Sequence, residues 1–223
     1  MRGKSGSSSQ SSQPPLTNTI DLHTFLRTRR SIRRFKPDPI PDSVIREILH
    51  TATLAPSAHN RQPWRFVVLT EKSSIQRFAK KMAVEFQQVL EQDHLPPEEI
   101  QKRLLRSQER ISGAPVVIIA CVDMTEMEKY PDERRKKAEY LIATQSVANA
   151  GMQLLLAAHA EGLGAVWICS PLFAQSAVQE ALKIQSTWEP QAMFLIGTPV
   201  DIPTVRERKP IDEISIFIDK KGT

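Results

Sequence analysis

The feature of this 223-residue chain that most limits its fold is the segment Leu141–Ala158. It carries no charged residue, and most of its positions hold apolar or small side chains. A helix that is apolar nearly all round must be buried on most of its faces. The pattern therefore predicts a long central helix over Arg134–Glu161, ended by Gly162 or Gly164, with other elements packed around it.

Shorter apolar runs rich in β-branched residues are typical of strands. The predicted strands are Trp64–Leu69, Val116–Val122, Ala165–Cys169 and Gln191–Ile196, with a short terminal strand at Ile214–Ile218. Segments with apolar residues at helical spacing lie between them. The first predicted helix is Asp21–Thr28, and the second is capped by Asp42 or Ser43 and ends at Ala55-Pro56. A longer helical segment spans Glu71–Ile111, with a break near His94–Pro97. A further helix is predicted at Phe173–Leu182.

The chain divides into two parts that differ in composition. Residues 1–19 are rich in Ser, Gln and Pro and lack the apolar core of a signal peptide, which predicts a disordered arm. The chain as a whole is 40% hydrophobic and 25% charged, as soluble globular proteins are. We therefore expect residues 20–223 to form one folded domain. We expect no apolar run to be long enough to span a membrane, so the predicted location is the cytoplasm.

The two cysteines, Cys121 and Cys169, each lie in an apolar run. Cysteines in such runs are more often buried thiols than a disulfide or a metal-binding pair. No cysteine–histidine spacing is typical of a zinc site. The sequence therefore predicts two buried thiols and no bound metal.

A run of basic residues follows the first predicted helix. Six basic side chains and no acidic one lie between Arg27 and Lys36, and Pro37 and Pro39 come directly after them. Prolines stop a helix, so the arginines are held at a helix end by rigid backbone. The run is either a solvated, charged helix end or a binding site for an anion. An anion site is one of the two readings because the guanidinium group of arginine can bind phosphate through two hydrogen bonds at once.

A second stretch favours the anion site. Residues 55–64 read Ala-Pro-Ser-Ala-His-Asn-Arg-Gln-Pro-Trp and form a loop between a predicted helix and a predicted strand. Together the two stretches resemble the amino-terminal half of the FMN-dependent nitroreductase family, and the resemblance runs from about Leu22 to the end of the chain. It implies an α+β nitroreductase fold with a central, mostly antiparallel sheet flanked by helices. It also implies a domain-swapped homodimer with FMN at its interface.

The resemblance further implies which residues bind FMN. The implied phosphate and ribityl contacts are Arg29, Arg30 and Ser31, with Arg206 and Arg208 closing on the phosphate. The implied ring contacts are Arg33 at the N1/O2 edge, Pro56, Ser57 and Ala58 from the partner subunit, Asn60 at the pyrimidine edge, Gln62, and Trp167, Ile168 and Cys169. No catalytic side chain is implied, because the flavin carries the hydride and the protein supplies binding, orientation and electrostatics.

Several short motifs resemble a more specific relative, the nitroreductase-like domain of the protein that completes deazaflavin coenzyme biosynthesis. They include Tyr130-Pro131-Asp132, Trp167-Ile168 and Trp188-Glu189-Pro190. In that domain reduced FMN reduces a dehydro form of the coenzyme precursor. Residues Asn60-Arg61-Gln62, in contrast, are closer to those of ordinary nitroreductases.

These observations lead to one main functional hypothesis and its alternatives. The main hypothesis is an FMN-dependent oxidoreductase that transfers two electrons from NAD(P)H to a nitro, quinone or enone-like acceptor. The alternatives are an FMNH2-dependent reductase of a dehydro deazaflavin-coenzyme precursor and a flavin-binding protein without turnover. The net charge of +5 raises nucleic-acid binding as a further possibility, but the excess lies in Arg27–Lys36 and no nucleic-acid module accompanies it. Neither a nucleic-acid nor a membrane partner is therefore predicted.

The predicted helical pair Glu71–Ile111 is inserted between two strands, where it can cover a site and set substrate specificity. It carries Arg103, Arg106 and Arg110 at a spacing that places them on one helix face. If they rim the flavin cleft, the acceptor is expected to be acidic. If they do not, they form a solvated face.

Overall fold

The computed structural model describes residues 19–218, and its centre is a four-stranded antiparallel sheet. The strands are β1 (Trp64–Leu69), β2 (Val116–Asp123), β3 (Gly164–Ile168) and β4 (Trp188–Gly197). Their order across the sheet is β1-β2-β4-β3, and each neighbouring pair is antiparallel. The four predicted sheet strands are confirmed, although β4 begins earlier than the sequence pattern indicates.

Helices flank this sheet on both faces. They are α1 (Thr19–Thr28), α2 (Asp42–Thr53), α3 (Lys72–Gln92), α4 (Pro97–Ser112), α5 (Glu133–Ala160), α6 (Gln175–Leu182) and α7 (Ile211–Ile214). Short 3₁₀ segments lie at Ala58–Asn60 and Ser170–Phe173. The predicted break near His94–Pro97 is confirmed, since α3 ends at Gln92 and α4 begins at Pro97. Proline is favoured at the first position of a helix, where no amide hydrogen bond is lost.

Helix α5 covers one face of the sheet, as the apolar segment in its middle predicts. Its buried residues on that side include Ala143, Val147, Ala150 and Leu154. An added Cβ at Gly151 would lie 2.3 Å from the Trp167 ring and 2.8 Å from the Phe194 ring. The two aromatic rings can therefore reach the α5 backbone only because residue 151 has no side chain.

The apolar character of α5 also has a second reading. By length and composition alone, α5 could cross a membrane, contrary to the expectation that no run in this chain is long enough. Its side chains, however, pack with α2 and the sheet in the largest buried cluster of the described residues. The composition of α5 is thus that of a core helix.

Helices α3 and α6 cover the opposite face of the sheet. Their buried residues include Ile75, Phe78, Met82 and Val178. Because both faces are covered, all positions of β2 are buried, which explains its continuous apolar sequence. Helix α4 packs on α3 through a small cluster that contains Leu90, Ile100 and Leu104.

The ends of the chain depart from the sequence predictions. The terminal strand predicted at Ile214–Ile218 is wrong, since α7 occupies Ile211–Ile214 and the residues after it pair with no strand in the described part of the chain. A strand needs a neighbour for its backbone hydrogen bonds, and Ile216 is instead 91% exposed. The helix predicted to begin at Phe173 begins at Gln175. The predicted arm, residues 1–19, lies outside the described residues except for Thr19.

Candidate functional site

The basic run after α1 lies along the free edge of β3. Ser31 forms a parallel bridge with Ala165, and the Ile32 amide donates to the Ala165 carbonyl oxygen at 3.0 Å. The Ile32 side chain is buried over Gly164, where an added Cβ would lie 2.7 Å from it. The sheet therefore fixes this backbone while the adjacent Arg33 side chain stays exposed.

These arginines form one wall of a cleft, and the carboxyl-terminal segment forms the other. The cleft has a volume of about 540 Å³. Its lining includes all six residues that the family resemblance assigned to phosphate binding or to the N1/O2 edge: Arg29, Arg30, Ser31, Arg33, Arg206 and Arg208. Residues far apart in sequence are thus brought together here, and we call this feature the arginine cleft.

The arginine cleft holds positive charge that no carboxylate of residues 19–218 neutralises. Within residues 19–218, none of its arginines pairs with a carboxylate, whereas Arg34 nearby lies 3.3 Å from Asp201. Burial, followed by the positive charges of Arg30 and Arg208, lowers the pKa of Arg29 below its usual value. Such mutual repulsion is relieved by a bound anion. The electrostatics of the cleft therefore suit a phosphate group.

The end of β3 presents its side chains to two different regions. Trp167 packs edge-on against Phe194 on the α5 side of the sheet, with ring centroids 5.0 Å apart. Ile168 and Ser170 instead line a cavity on the α3–α4 side. Cys169, which was predicted to be buried, is exposed, because it follows the last residue of β3. Its sulfur accepts a hydrogen bond from Trp167 Nε1 at 3.1 Å.

The loop Pro56–Gln62, the second predicted part of the site, has a strained backbone. His59, Asn60 and Gln62 have φ angles of 49°, 54° and 50°, in the left-handed region that side-chain-bearing residues rarely adopt. Such strain persists only where surrounding contacts impose it, and it is commonest at functional sites. The loop is thus held in one specific shape.

Hydrogen bonds from α5 and from the loop itself impose that shape. The Ala58 amide donates to Ser146 Oγ at 3.2 Å, and Asn149 Nδ2 donates to the Pro56 carbonyl oxygen at 3.3 Å. Inside the loop, the Gln62 amide donates to Ser57 Oγ and Gln62 Nε2 donates to Asn60 Oδ1. Sequence reasoning missed Ser146 and Asn149, although polar residues three apart in an apolar helix are a signal that could have found them.

The arginine cleft and the loop are not brought together within one chain. None of Pro56, Ser57, Ala58, Asn60 and Gln62 lines the cleft or the cavity beside Ile168. The loop packs on α5, on the sheet face opposite to that cavity. A single chain therefore carries the two predicted parts of the site at separate places.

Comparison with known proteins places the chain in a family. The sequence profile of the nitroreductase family matches residues 26–198. YfhC of Bacillus subtilis, which carries the provisional name NAD(P)H nitroreductase, is 26% identical over 208 residues, covering 88% of this chain and 96% of YfhC.

Solved structures share the fold. A BluB-like flavoprotein from Clostridium difficile superposes with a TM-score of 0.73 at 23% identity and covers 88% of this chain and 98% of its own. A provisionally assigned nitroreductase from Desulfovibrio desulfuricans was solved in complex with FMN. It superposes with a TM-score of 0.68 at 24% identity, and the match covers 92% of this chain and 98% of the Desulfovibrio chain. The structures establish the fold, and the profile spans most of the chain. This protein belongs to the nitroreductase family of oxidoreductases.

Proposed function

We propose that the protein is an FMN-dependent oxidoreductase that transfers two electrons from NAD(P)H to a nitro, quinone or enone-like acceptor. The observation that carries the proposal is the arginine cleft, with its cluster of cations that lack a counterion from the described chain. FMN ends in a phosphate, and the nitroreductase family uses FMN. YfhC, by its provisional name, uses NAD(P)H.

The residues of the cleft fit the phosphate of FMN in kind and number. Arg29, Arg30, Arg206 and Arg208 supply charged donors from two sides, and Ser31 supplies a hydroxyl. A charge-assisted hydrogen bond to phosphate is about twice as strong as one between neutral groups. The Ser31–Ala165 bridge keeps the Ser31 backbone in place, so little ordering is needed when the ligand binds.

The flavin, when bound, supplies the redox chemistry by accepting and donating two electrons. The protein's task is to place the ring and to stabilise charge that develops on it. We assign Arg33, which lines the cleft, to the pyrimidine edge of the ring, where a cation stabilises negative charge. Ile168 offers an apolar contact, and the backbone near Cys169 offers N–H groups.

We further propose that the active protein is a homodimer in which the loop Pro56–Gln62 of one subunit completes the arginine cleft of the other. The separation of these two parts within one chain supports this arrangement. The carboxyl-terminal segment supports it as well, since Ile202, Val205 and Ile218 are 76%, 72% and 83% exposed. A concentration of large exposed apolar side chains in one segment supports a surface that another protein covers.

A second candidate within the same class is the reduction of a dehydro deazaflavin-coenzyme precursor. The arginines of α4 favour it, because such a precursor carries phosphate and these cations line a cavity next to Ile168. A flavin-binding protein without turnover remains the alternative from another class. Its distinguishing property is the lack of steady-state NAD(P)H oxidation.

The test is to purify the protein and measure its absorbance, its mass in solution and its turnover. We expect a yellow homodimer with one FMN per chain that oxidises NADH or NADPH when a quinone or nitro compound is supplied. A colourless protein that FMN fails to reconstitute would overturn the proposal. A yellow protein that oxidises neither nucleotide with any acceptor would establish the non-catalytic alternative.

A further inference from the structure

Beside the arginine cleft lies a cavity of about 270 Å³ that combines an apolar floor with a cationic wall. The floor includes Met82, Ile168 and Met193, which belong to α3, β3 and β4. The wall is one face of α4, whose residues there are Arg103, Arg106, Ser107 and Arg110. A cavity of this kind suits a ligand with an apolar ring and an anionic substituent.

The cations of the wall are neutralised only in part by the chain. Arg103 Nε lies 2.7 Å from the Glu99 carboxylate. Neither Arg106 nor Arg110 pairs with a carboxylate of the described residues. Burial, then the positive charges of Arg33 and Arg106, lowers the pKa of Arg110 below its usual value. Two neighbouring guanidinium groups thus have no counterion among residues 19–218, and repulsion between them is relieved when an anion binds.

The cavity adjoins the residues proposed to hold the flavin. Arg33 lines the arginine cleft and lies close enough to Arg110 for their charges to interact. Ile168, assigned to the flavin ring, forms part of the cavity floor. A molecule in this cavity would therefore lie next to the ring, where a reactant of the flavin must bind.

We propose that Arg106 and Arg110 form an anion subsite that holds a phosphate or carboxylate group of one of the two reactants, an inference that rests on the proposed function. The apolar floor receives the reacting part of that molecule, and the arginines hold its charged substituent. Two sources of the anion share this chemistry: the 2′-phosphate that distinguishes NADPH from NADH, and an acidic group on the electron acceptor. The subsite would set which reactant is preferred without taking part in electron transfer.

The test compares matched reactants on charge-removing and charge-keeping variants of the holoenzyme. The charge-removing variant is Arg106→Gln/Arg110→Gln, and the charge-keeping variant is Arg106→Lys/Arg110→Lys. Lys102→Gln serves as the control on the same helix, because Lys102 is exposed and does not line the cavity. The values of kcat/KM are measured for NADH and NADPH and, separately, for 4-nitrobenzoate and uncharged 4-nitrobenzyl alcohol. FMN content is measured on each variant.

The expected result is a loss confined to one charged reactant. Losing a charge-assisted hydrogen bond lowers binding about 10-fold or more, so the double glutamine variant should lose at least that factor in kcat/KM for NADPH or for 4-nitrobenzoate, the members that carry the additional anionic group. The values for NADH and 4-nitrobenzyl alcohol, which lack that group, and the FMN content should not change. The loss should shrink in the lysine variant, and rising salt should weaken the wild-type preference. If the ratio of kcat/KM for NADPH to that for NADH changes, the anion is the 2′-phosphate of the nucleotide. If the ratio of kcat/KM for 4-nitrobenzoate to that for 4-nitrobenzyl alcohol changes, the anion is an acidic group of the acceptor.

Unchanged ratios for both pairs in the glutamine variant would overturn the anion subsite while leaving the proposed function intact. The same holds if Lys102→Gln has an equal effect, since the charge of α4 would then act without a defined site. Failure of the proposed function is a separate result. It appears in the wild-type protein, as an absence of bound FMN or of turnover with every reactant, and it would overturn both proposals.

Discussion

The arginine cleft and the loop Pro56–Gln62 are both assigned to one flavin site, yet they differ in how their polar groups are paired within the chain. The cleft collects like charges that repel one another, and within residues 19–218 no carboxylate pairs with its arginines. The loop is held by hydrogen bonds within itself and to Ser146 and Asn149 of α5, even though three of its residues adopt left-handed backbone angles. The cleft is thus expected to gain stability from a ligand, whereas the loop is already ordered without one.

The difference indicates how the two regions divide the work. A cluster of unneutralised cations contributes affinity, because binding of an anion removes their repulsion. A preorganised loop contributes geometry, because its shape is fixed before the ligand arrives. Substitutions in the two regions should therefore change different measured quantities.

The largest effect is expected from the cleft. Arg29→Ala and Arg208→Ala each remove a charged donor, and such a loss costs about 1.5–3 kcal/mol, which corresponds to roughly 10- to 150-fold weaker FMN binding. The measurement is a fluorescence titration of FMN into the apoprotein. Lys80→Ala, at an exposed position of α3, is the control and should leave FMN affinity unchanged. Equal effects of the three substitutions would show that the cleft is not the phosphate site.

An intermediate effect is expected from the anchor of the loop. Ser146→Ala leaves the Ala58 amide without its hydrogen-bond acceptor, which should lower the free energy of unfolding by about 1 kcal/mol. We expect kcat/KM to fall more than FMN affinity, because the phosphate-binding arginines are untouched. Denaturant unfolding, FMN titration and steady-state kinetics measure the three quantities.

Helix α5 provides a matched control for this prediction. Thr144 also donates a side-chain hydrogen bond to a carbonyl oxygen one turn earlier, as Ser146 does, but it has no hydrogen bond to the loop. Thr144→Ala should therefore leave the kinetics unchanged. If Ser146→Ala and Thr144→Ala behave alike, the loop does not depend on its anchor in α5.

The smallest effect is expected at the end of β3, beside the cleft. Cys169 is exposed and accepts a hydrogen bond from Trp167 Nε1. Cys169→Ser keeps a side-chain acceptor at this position, and the proposed contacts to the flavin come from the backbone. Activity should stay within about twofold of the wild type, a difference of less than 0.5 kcal/mol. Loss of turnover while FMN remains bound would show that the thiol has a chemical role.

The sequence alone determined the elements whose pattern has a local physical cause. The all-round apolar segment Leu141–Ala158 predicted the core helix α5, and continuous apolar runs predicted the buried strands. The prolines at Pro96–Pro97 marked where α4 begins, whereas α1 ends at Thr28, well before Pro37 and Pro39. The basic run and the loop Pro56–Gln62 indicated the family, which the sequence profile then established.

Only the tertiary structure decided features that depend on contacts between distant residues. Ile214–Ile218 has the composition of a strand, but backbone pairing requires a neighbour that residues 19–218 of one chain do not supply. Cys169 lies in an apolar run yet is exposed, because β3 ends just before it. The fold brings Arg29 near Arg208, and Arg33 near Arg110, so that their charges interact. Charges act through space, and these residues are far apart in sequence, so the sequence pattern does not reveal the interactions.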